Sequence, residues 1–213
     1  MSRELPADGV AAIALRFLAS GGKRLRPRLC ARVFSDCGGQ GDVGKVCEAV
    51  ECFHKASLIH DDLQDGDTER YGRPAVWREY GIPVAVAVGD WLVAYGYSLI
   101  ADSGFAAAPR MLGAASRAHL RLCEGQGDEL LGRGEYVSIC SRKTGEGFAL
   151  AAELGALAAG ADPTAYRAWA AAYGTLYQMR DDRVDGEGPA DLDALIDEWS
   201  RRLEGLGLGR LLA

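Results

Sequence analysis

The sequence predicts an all-α fold: a single-domain helical bundle with an active-site cleft between two Asp-rich helices. Three observations lead there. Apolar residues recur at i, i+3 and i+4 over long segments, the period of a helix with one buried face. Strand signals are nearly absent, since no Asn-Gly or Asp-Gly turn joins two alternating runs. One acidic pattern, Asp-Asp-x-x-Asp, occurs twice, from Asp61 to Asp65 and from Asp181 to Asp185, each time inside an apolar, helix-patterned segment.

The periodicity predicts helices over 8–19, 23–36, 42–66, 82–101, 104–132, 135–160, 162–185 and 190–204. Breaks fall where turn chemistry expects them. Gly38-Gly39-Gln40-Gly41 separates two helices, and Tyr71-Gly72-Arg73-Pro74 ends the loop after the first acidic motif. Gly132-Arg133-Gly134 divides two long helices, and Ala161-Asp162-Pro163 opens the next, with Asp162 as N-cap and Pro163 at the first helical position. The most apolar stretch, Pro83 to Ile100, contains Gly89-Asp90, Gly96 and Ser98 and reads as a central buried helix, not a membrane span. No linker or repeat divides the chain, so 1–213 reads as one domain.

A chain of 213 residues buries a substantial core, and 48% hydrophobic with 25% charged residues is ordinary for a globular protein. The net charge of −6 argues against nucleic acid or an anionic membrane as the main partner. Cys30, Cys37, Cys47, Cys52, Cys123 and Cys140 form no Cys-x-x-Cys pair, and His54, His60 and His119 have no zinc spacing. With no secretory signal at the N-terminus, these read as reduced thiols of a cytoplasmic protein.

The acidic motifs carry the chemistry. Asp61 and Asp65 share a helix face, as do Asp181 and Asp185. Carboxylates packed this closely are unfavourable unless a cation lies between them. Two such ridges facing each other make an oxygen-rich cleft, the donor set of Mg²⁺, which completes its shell with water and substrate phosphates. A solvated acidic helix end is the alternative for either copy alone. Both copies, however, follow core-like residues, Ser57-Leu58-Ile59-His60 and Thr175-Leu176-Tyr177-Gln178-Met179, where an acidic cluster needs a functional reason.

Other segments fit a diphosphate site. Gly21-Gly22-Lys23-Arg24-Leu25-Arg26-Pro27 puts glycines and cations at the start of a helix, an anion-binding arrangement that needs no metal. His54 lies two helical turns before Asp61 on the same face, and Arg70 follows the first motif within reach of a bound phosphate. Lys143, beside Thr144 in an otherwise small and apolar segment, is a cation in need of an anion. Gln126, Asp128 and Gln178 complete the polar set.

These pieces, in this order from about residue 20 to 186, resemble the trans-isoprenyl diphosphate synthases, the polyprenyl synthetase family. The resemblance implies the class I isoprenoid synthase fold, usually dimeric, here as a homodimer shortened at both ends. It implies three Mg²⁺ ions bound with the diphosphate. Asp61, Asp65 and Asp181 would be direct metal ligands, and Asp62, Asp182 and Asp185 second-shell or water-bridged partners. Arg70, Lys143, Thr144 and Gln178 would hold an allylic diphosphate, and Lys23, Arg26 and His54 isopentenyl diphosphate. The implied reaction is ionisation, condensation and elimination, giving a longer trans-prenyl diphosphate.

The match departs at three places. Two adjacent arginines are usual before Gly-x-Pro, and here the pair is Arg70-Tyr71. Little sequence precedes the Gly-Gly-Lys motif. After Asp185 the family's lysine-bearing loop has no counterpart, with Arg201, Arg202 and Arg210 as possible replacements. Small residues at Ser57 and Ala56, with Phe53 one turn deeper, point to a product of C20 or longer; Tyr95 or Tyr97 filling that space would shorten it to C15. Tyr71 and the short C-terminal part leave two other readings: a class I terpene cyclase or prenyltransferase with another acceptor, and a non-catalytic subunit of a heteromeric synthase.

Overall fold

The helical segments start and stop within four residues of the sequence-based expectation. The computed structural model describes residues 9–209. In chain order the long helices are α1 (Val10–Ala19), α2 (Leu25–Asp36) and α3 (Gly44–Asp65), then, after the first motif, a hairpin of β1 (Glu69–Arg70) and β2 (Arg73–Pro74), α4 (Val76–Tyr80), α5 (Ile82–Ala101) and α6 (Ala108–Leu130). The C-terminal half holds α7 (Tyr136–Cys140), a π-helical turn (Ser141–Gly145), α8 (Glu146–Ala158), α9 (Thr164–Asp185) and α10 (Leu192–Gly205).

Four features differ from the expectation. The hairpin, with Glu69 opposite Pro74 and Arg70 opposite Arg73, was hidden because its turn is Tyr71-Gly72. Both turn residues are left-handed, at φ 55° and 71°, as a two-residue hairpin turn requires. Helix α4 is too short to show a period. The stretch 135–160 is wound as two α-helical pieces joined by one π turn. Finally, Pro163 is itself the N-cap of α9, and Asp162 stands one residue earlier, its Oδ1 accepting from the Thr164 amide and hydroxyl.

The central helix is α8, not α5. From Phe148 to Ala158 every residue of α8 is buried, so the helix is enclosed on all sides. Glu146 and Glu153 disguise it in the sequence. Both are buried and paired with cations from other helices: Arg167 bonds Glu146 and Glu153 at 2.7 Å each, and Arg121 bonds Glu146 at 2.6 Å. These ion pairs tie α6 and α9 to α8. On the α2 side, a Cβ on Gly155 would lie 2.4 Å from the Cys30 carbonyl oxygen, so only glycine permits that approach.

Helix α5 is long and apolar enough to cross a membrane, yet only 39% of its most apolar window is buried. One face lies on α3, where Gly89 fits under His60 and Gly96 under Phe53. The other face leaves Ile82 and Val86 exposed. Helix α10 packs on α9 through Leu192, Ile196, Leu176 and Met179, a small second core beside the second acidic motif.

Candidate active site

Each acidic motif is the last turn of a 22-residue helix, α3 or α9, and each helix is stopped by a left-handed glycine, Gly66 at φ 76° or Gly186 at φ 74°. The C-terminal end of a helix carries unsatisfied carbonyls and partial negative charge. Three carboxylates added there oppose the helix dipole as well as one another. A cation is the natural remedy.

The middle and outer aspartates of each motif are treated differently. Asp62 is fully buried and held by Arg70, whose Nε donates to Oδ1 at 2.7 Å and whose Nη2 also reaches Asp67 at 3.2 Å. Asp182 accepts from Gln178 Nε2 at 2.7 Å and from the Tyr136 hydroxyl at 2.5 Å. By contrast, no hydrogen bond or ion pair engages Asp61, Asp65 or Asp185 among the described residues. Burial pushes the Asp61 carboxyl up to about 6, the nearby Asp65 and Asp62 adding to it and Lys143 opposing it. Burial also raises Asp181, against the pull of Lys23 and a hydrogen bond from Tyr177.

The π turn connects the two motifs. Widened turns of this kind recur at functional sites. Lys143 exerts its charge on Asp61 of α3, while the next residue, Thr144, donates to Gln178 Oε1 on α9 at 2.6 Å. Thr144, Gln178 and Asp182 thus form one chain of hydrogen bonds. The turn fits against α9 because two glycines meet: a Cβ on Gly174 would lie 2.9 Å from Gly145 Cα and 3.0 Å from the Thr144 carbonyl oxygen. Lys143 Nζ is bonded to Glu129 of α6, and Arg142 to Asp128 at 2.6 Å. Gln126 Nε2 donates to Gln64 Oε1 at 2.9 Å, joining α6 to the end of α3.

The basic segment meets α3 and α8. Arg26 Nη1 is 3.3 Å from His54 Nε2, and its guanidinium sits 4.3 Å above the Phe148 ring. Arginine only donates, so Nε2 is the acceptor and His54 is neutral. Burial, then the charges of Arg26, Lys55 and Arg70, hold His54 well below its usual value. Lys23 is exposed at the rim, where its charge reaches Asp181.

Of the site residues read from the sequence, Lys143 lies within charge range of Asp61 and Lys23 of Asp181, Thr144 bonds Gln178, and Arg26 meets His54. Arg70 and Lys143, expected at the diphosphate, are each engaged with a carboxylate of the protein. Of the replacements at the C-terminal end, Arg202 stacks on Trp199 at 4.6 Å, Arg201 is exposed, and Arg210 lies outside the described residues. Sequence reading gave no role to Tyr136, Glu129, Asp67 or Lys55. Only Lys55 left a trace, as a charge inside an apolar helix four residues after Glu51.

The polyprenyl synthetase family profile matches residues 9–192. The chain belongs to the polyprenyl synthetase family. Among its relatives, a short chain isoprenyl diphosphate synthase of Methanothermobacter thermautotrophicus is 31% identical over 180 residues, covering 79% of this chain and 55% of the relative. A geranylgeranyl diphosphate synthase of Mycobacterium tuberculosis is 36% identical over 152 residues, covering 67% and 43%. The chain thus spans about half the length of these curated relatives. A crystal structure of geranyltranstransferase from Thermotoga maritima superposes with a TM-score of 0.84 at 26% identity, covering 97% of this chain and 86% of that one. A polyprenyl synthase from Caulobacter crescentus, complexed with calcium and isoprenyl diphosphate, gives 0.76 at 33% identity, covering 85% and 58%. The isoprenoid synthase fold inferred from the motifs is the one present.

A divalent cation fits the donor set. The outer aspartates offer only oxygen, one turn apart, at a negative helix end. Among the described residues no three His, Cys, Asp or Glu side chains form a ready-made cage. Mg²⁺ is commonly held by one or two carboxylates together with substrate phosphates.

Proposed function

We propose that this polyprenyl synthetase condenses an allylic diphosphate with isopentenyl diphosphate to give a longer trans-prenyl diphosphate. The observation that carries the reading is the pair of helix ends on which three of the four outer aspartates, Asp61, Asp65 and Asp185, have no hydrogen-bond partner among the described residues, linked through Lys143 and Thr144 on one π turn. Asp61, Asp65, Asp181 and Asp185 would hold Mg²⁺, with Asp62 and Asp182 fixing the motifs behind them. Bound Mg²⁺ supplies Lewis-acid neutralisation of the leaving diphosphate.

The chain's own residues divide the remaining work. Lys143 adds a fixed positive charge where the allylic C–O bond breaks, so charge developing on the diphosphate meets a preorganised cation. Thr144 and Gln178 orient that group. Lys23, Arg26 and His54 hold isopentenyl diphosphate in the metal-free pocket. Its double bond attacks the allylic carbocation, and a proton is then lost from the adjacent carbon to the departed diphosphate. The lipid tail would run from the first motif along α3 past Ala56 and Ser57. Phe53 lies eight residues before Asp61, about 12 Å deeper. It packs against Tyr97 and His119 with ring centroids at 5.2 and 4.6 Å, and the Tyr97 hydroxyl meets His119 Nδ1 at 2.9 Å. This floor supports a C20 or longer product, with C15 as the outcome if Tyr97 stops the chain. Tyr95 turns aside to stack on Trp91.

The exposed Ile82 and Val86 on α5 support a homodimer through that face, and the free thiols support a reducing cytoplasm. The experiment is product analysis by mass spectrometry after incubation with Mg²⁺, isopentenyl diphosphate and C5, C10 or C15 allylic diphosphates. Discrete longer diphosphates are expected. Allylic substrate consumed without elongation would replace this reading with a cyclase or another acceptor, and no consumption at all with a non-catalytic subunit.

A further inference from the structure

Lys55 belongs to no motif used so far. Its side chain is fully buried in α3. Nζ donates to the carbonyl oxygens of Ser20 at 2.5 Å and Gly21 at 3.1 Å, and faces the rings of Tyr71 at 4.2 Å and Phe17 at 5.2 Å. All four partners are neutral. Burial lowers its pKa, and Glu51, one turn earlier, only partly opposes this. Glu51 is itself buried, makes no ion pair with Lys55, and leaves Oε2 without a hydrogen-bond partner.

Arg26, partly buried, is nearby. It bonds a neutral imidazole and a ring face, and burial lowers it to about 10. Buried Lys55 and partly buried Arg26 therefore lie near one carboxylate that makes no ion pair, Glu51, with exposed Lys23 and Arg24 at the rim. Buried charge without a partner is unfavourable. Counting Lys23 and Arg24, the cations outnumber the carboxylate by three, which suits an anion with more than one negative charge.

The cover over Lys55 is thin. On one side lies the loop before α2, where Gly21, Gly22 and Arg24 have φ of 33°, 94° and 48°. On the other lies Tyr71, also left-handed at φ 55° and 42% exposed. A Cβ on Gly21 would stand 2.6 Å from Tyr71 Cγ, and one on Gly22 would stand 3.7 Å from Nζ. Backbone amides and carbonyls at left-handed glycines rearrange more readily than packed helix.

We propose that Lys55 is a substrate-binding residue, whose ammonium exchanges the Ser20 and Gly21 carbonyls for oxygens of the isopentenyl diphosphate headgroup when that group enters beside Arg26. The assignment rests on the reading of this pocket given above. The cation expected at position 71 is thus supplied from position 55, and Tyr71 caps it while the pocket is empty.

The test separates charge from packing. Lys55→Gln keeps an N–H donor for the two carbonyls and removes the charge. Binding of inorganic diphosphate and of isopentenyl diphosphate is measured by calorimetry without metal, alongside KM for both substrates with Mg²⁺. Lys55→Gln is expected to weaken both metal-free ligands and raise KM for isopentenyl diphosphate by about tenfold or more, leaving KM for the allylic substrate within about twofold. Lys55→Gln/Tyr71→Arg is expected to recover most of that loss, because a guanidinium then stands where the ring lay. A merely structural lysine would not be rescued this way.

Binding unchanged in folded Lys55→Gln, or a folded double variant that recovers nothing, overturns the proposal. If Lys55→Gln does not fold, Lys55→Arg decides: retained diphosphate binding supports a cationic role, and lost binding in a folded Lys55→Arg overturns it. Wild-type protein that binds inorganic diphosphate through Lys55 but elongates nothing would sink the proposed reaction and leave this assignment standing. Wild-type protein that elongates with Lys55→Gln unaffected would do the reverse.

Discussion

Arg70 and Asp62 form an ion pair in which the carboxylate is 1% exposed and the guanidinium 28%. Removing one member leaves an uncompensated charge inside the protein. Arg70→Met is therefore expected to lower unfolding free energy by about 3 kcal/mol, the low end for buried pairs because Arg70 is partly hydrated. Arg70→Met/Asp62→Asn should regain most of it. Urea denaturation of the three proteins decides; an unchanged midpoint for Arg70→Met would mean that Arg70 serves only the ligand.

Asp61→Ala and Asp181→Ala should each cut turnover by about three orders of magnitude or more. Both carboxylates are raised by burial, so the metal-free variants should fold at least as well as the parent. Near-normal activity in either would remove the metal assignment.

Mg²⁺ alone should protect the protein little against thermal unfolding, since each motif offers at most two outer aspartates. Mg²⁺ with inorganic diphosphate should raise the midpoint by several degrees, the two ligands completing one another's shells. EDTA should abolish both protection and turnover. Equal protection by Mg²⁺ alone would point to a preformed cage.

His54 gives a pH signature. Its folded-state pKa is held well below the usual 6.5, chiefly by burial. The unfolded chain thus binds the proton first, and His54 removes stability as pH falls below about 6.5. Asp61, raised to about 6, acts in the opposite sense, adding stability as pH falls through that value. Comparing melting temperatures of the parent and His54→Gln between about pH 7 and 5 isolates the first effect. The variant should lose less on acidification, and parallel curves would show that His54 titrates normally.

Gly174→Ala tests the seat of the π turn. The new methyl would stand 2.9 Å from Gly145 Cα and 2.7 Å from the Phe148 ring. Overpacking of this kind destabilises by about 1–3 kcal/mol. Activity should fall further than stability, because Thr144 and Lys143 ride on that turn. A variant with normal activity and stability would show that the two helices separate freely.

Much of this was legible in the sequence because it depends on local spacing. Helical period located α3 and α9 and set Asp61 beneath Asp65. What stayed hidden depends on partners far along the chain. Nothing around Glu146 or Glu153 announces Arg121 and Arg167, so α8 looked less buried than α5. Only the resemblance separated Asp62 from Asp65; the physical reason, Arg70 folding back across the hairpin to claim Asp62, is not local to the motif. A π turn is a change of winding within an unbroken apolar pattern, and no residue type marks it.

That winding makes the stretch Ser141–Gly145 sensitive to count more than to composition. Losing any one of its five residues would restore ordinary α-helical winding. Everything on one side would then turn by about 100° against the other. Lys143 and Thr144 could no longer address opposite helices. Substitutions here can be graded and sometimes repaired by a neighbour, whereas a single-codon deletion would unfasten one acidic motif from the other at a stroke.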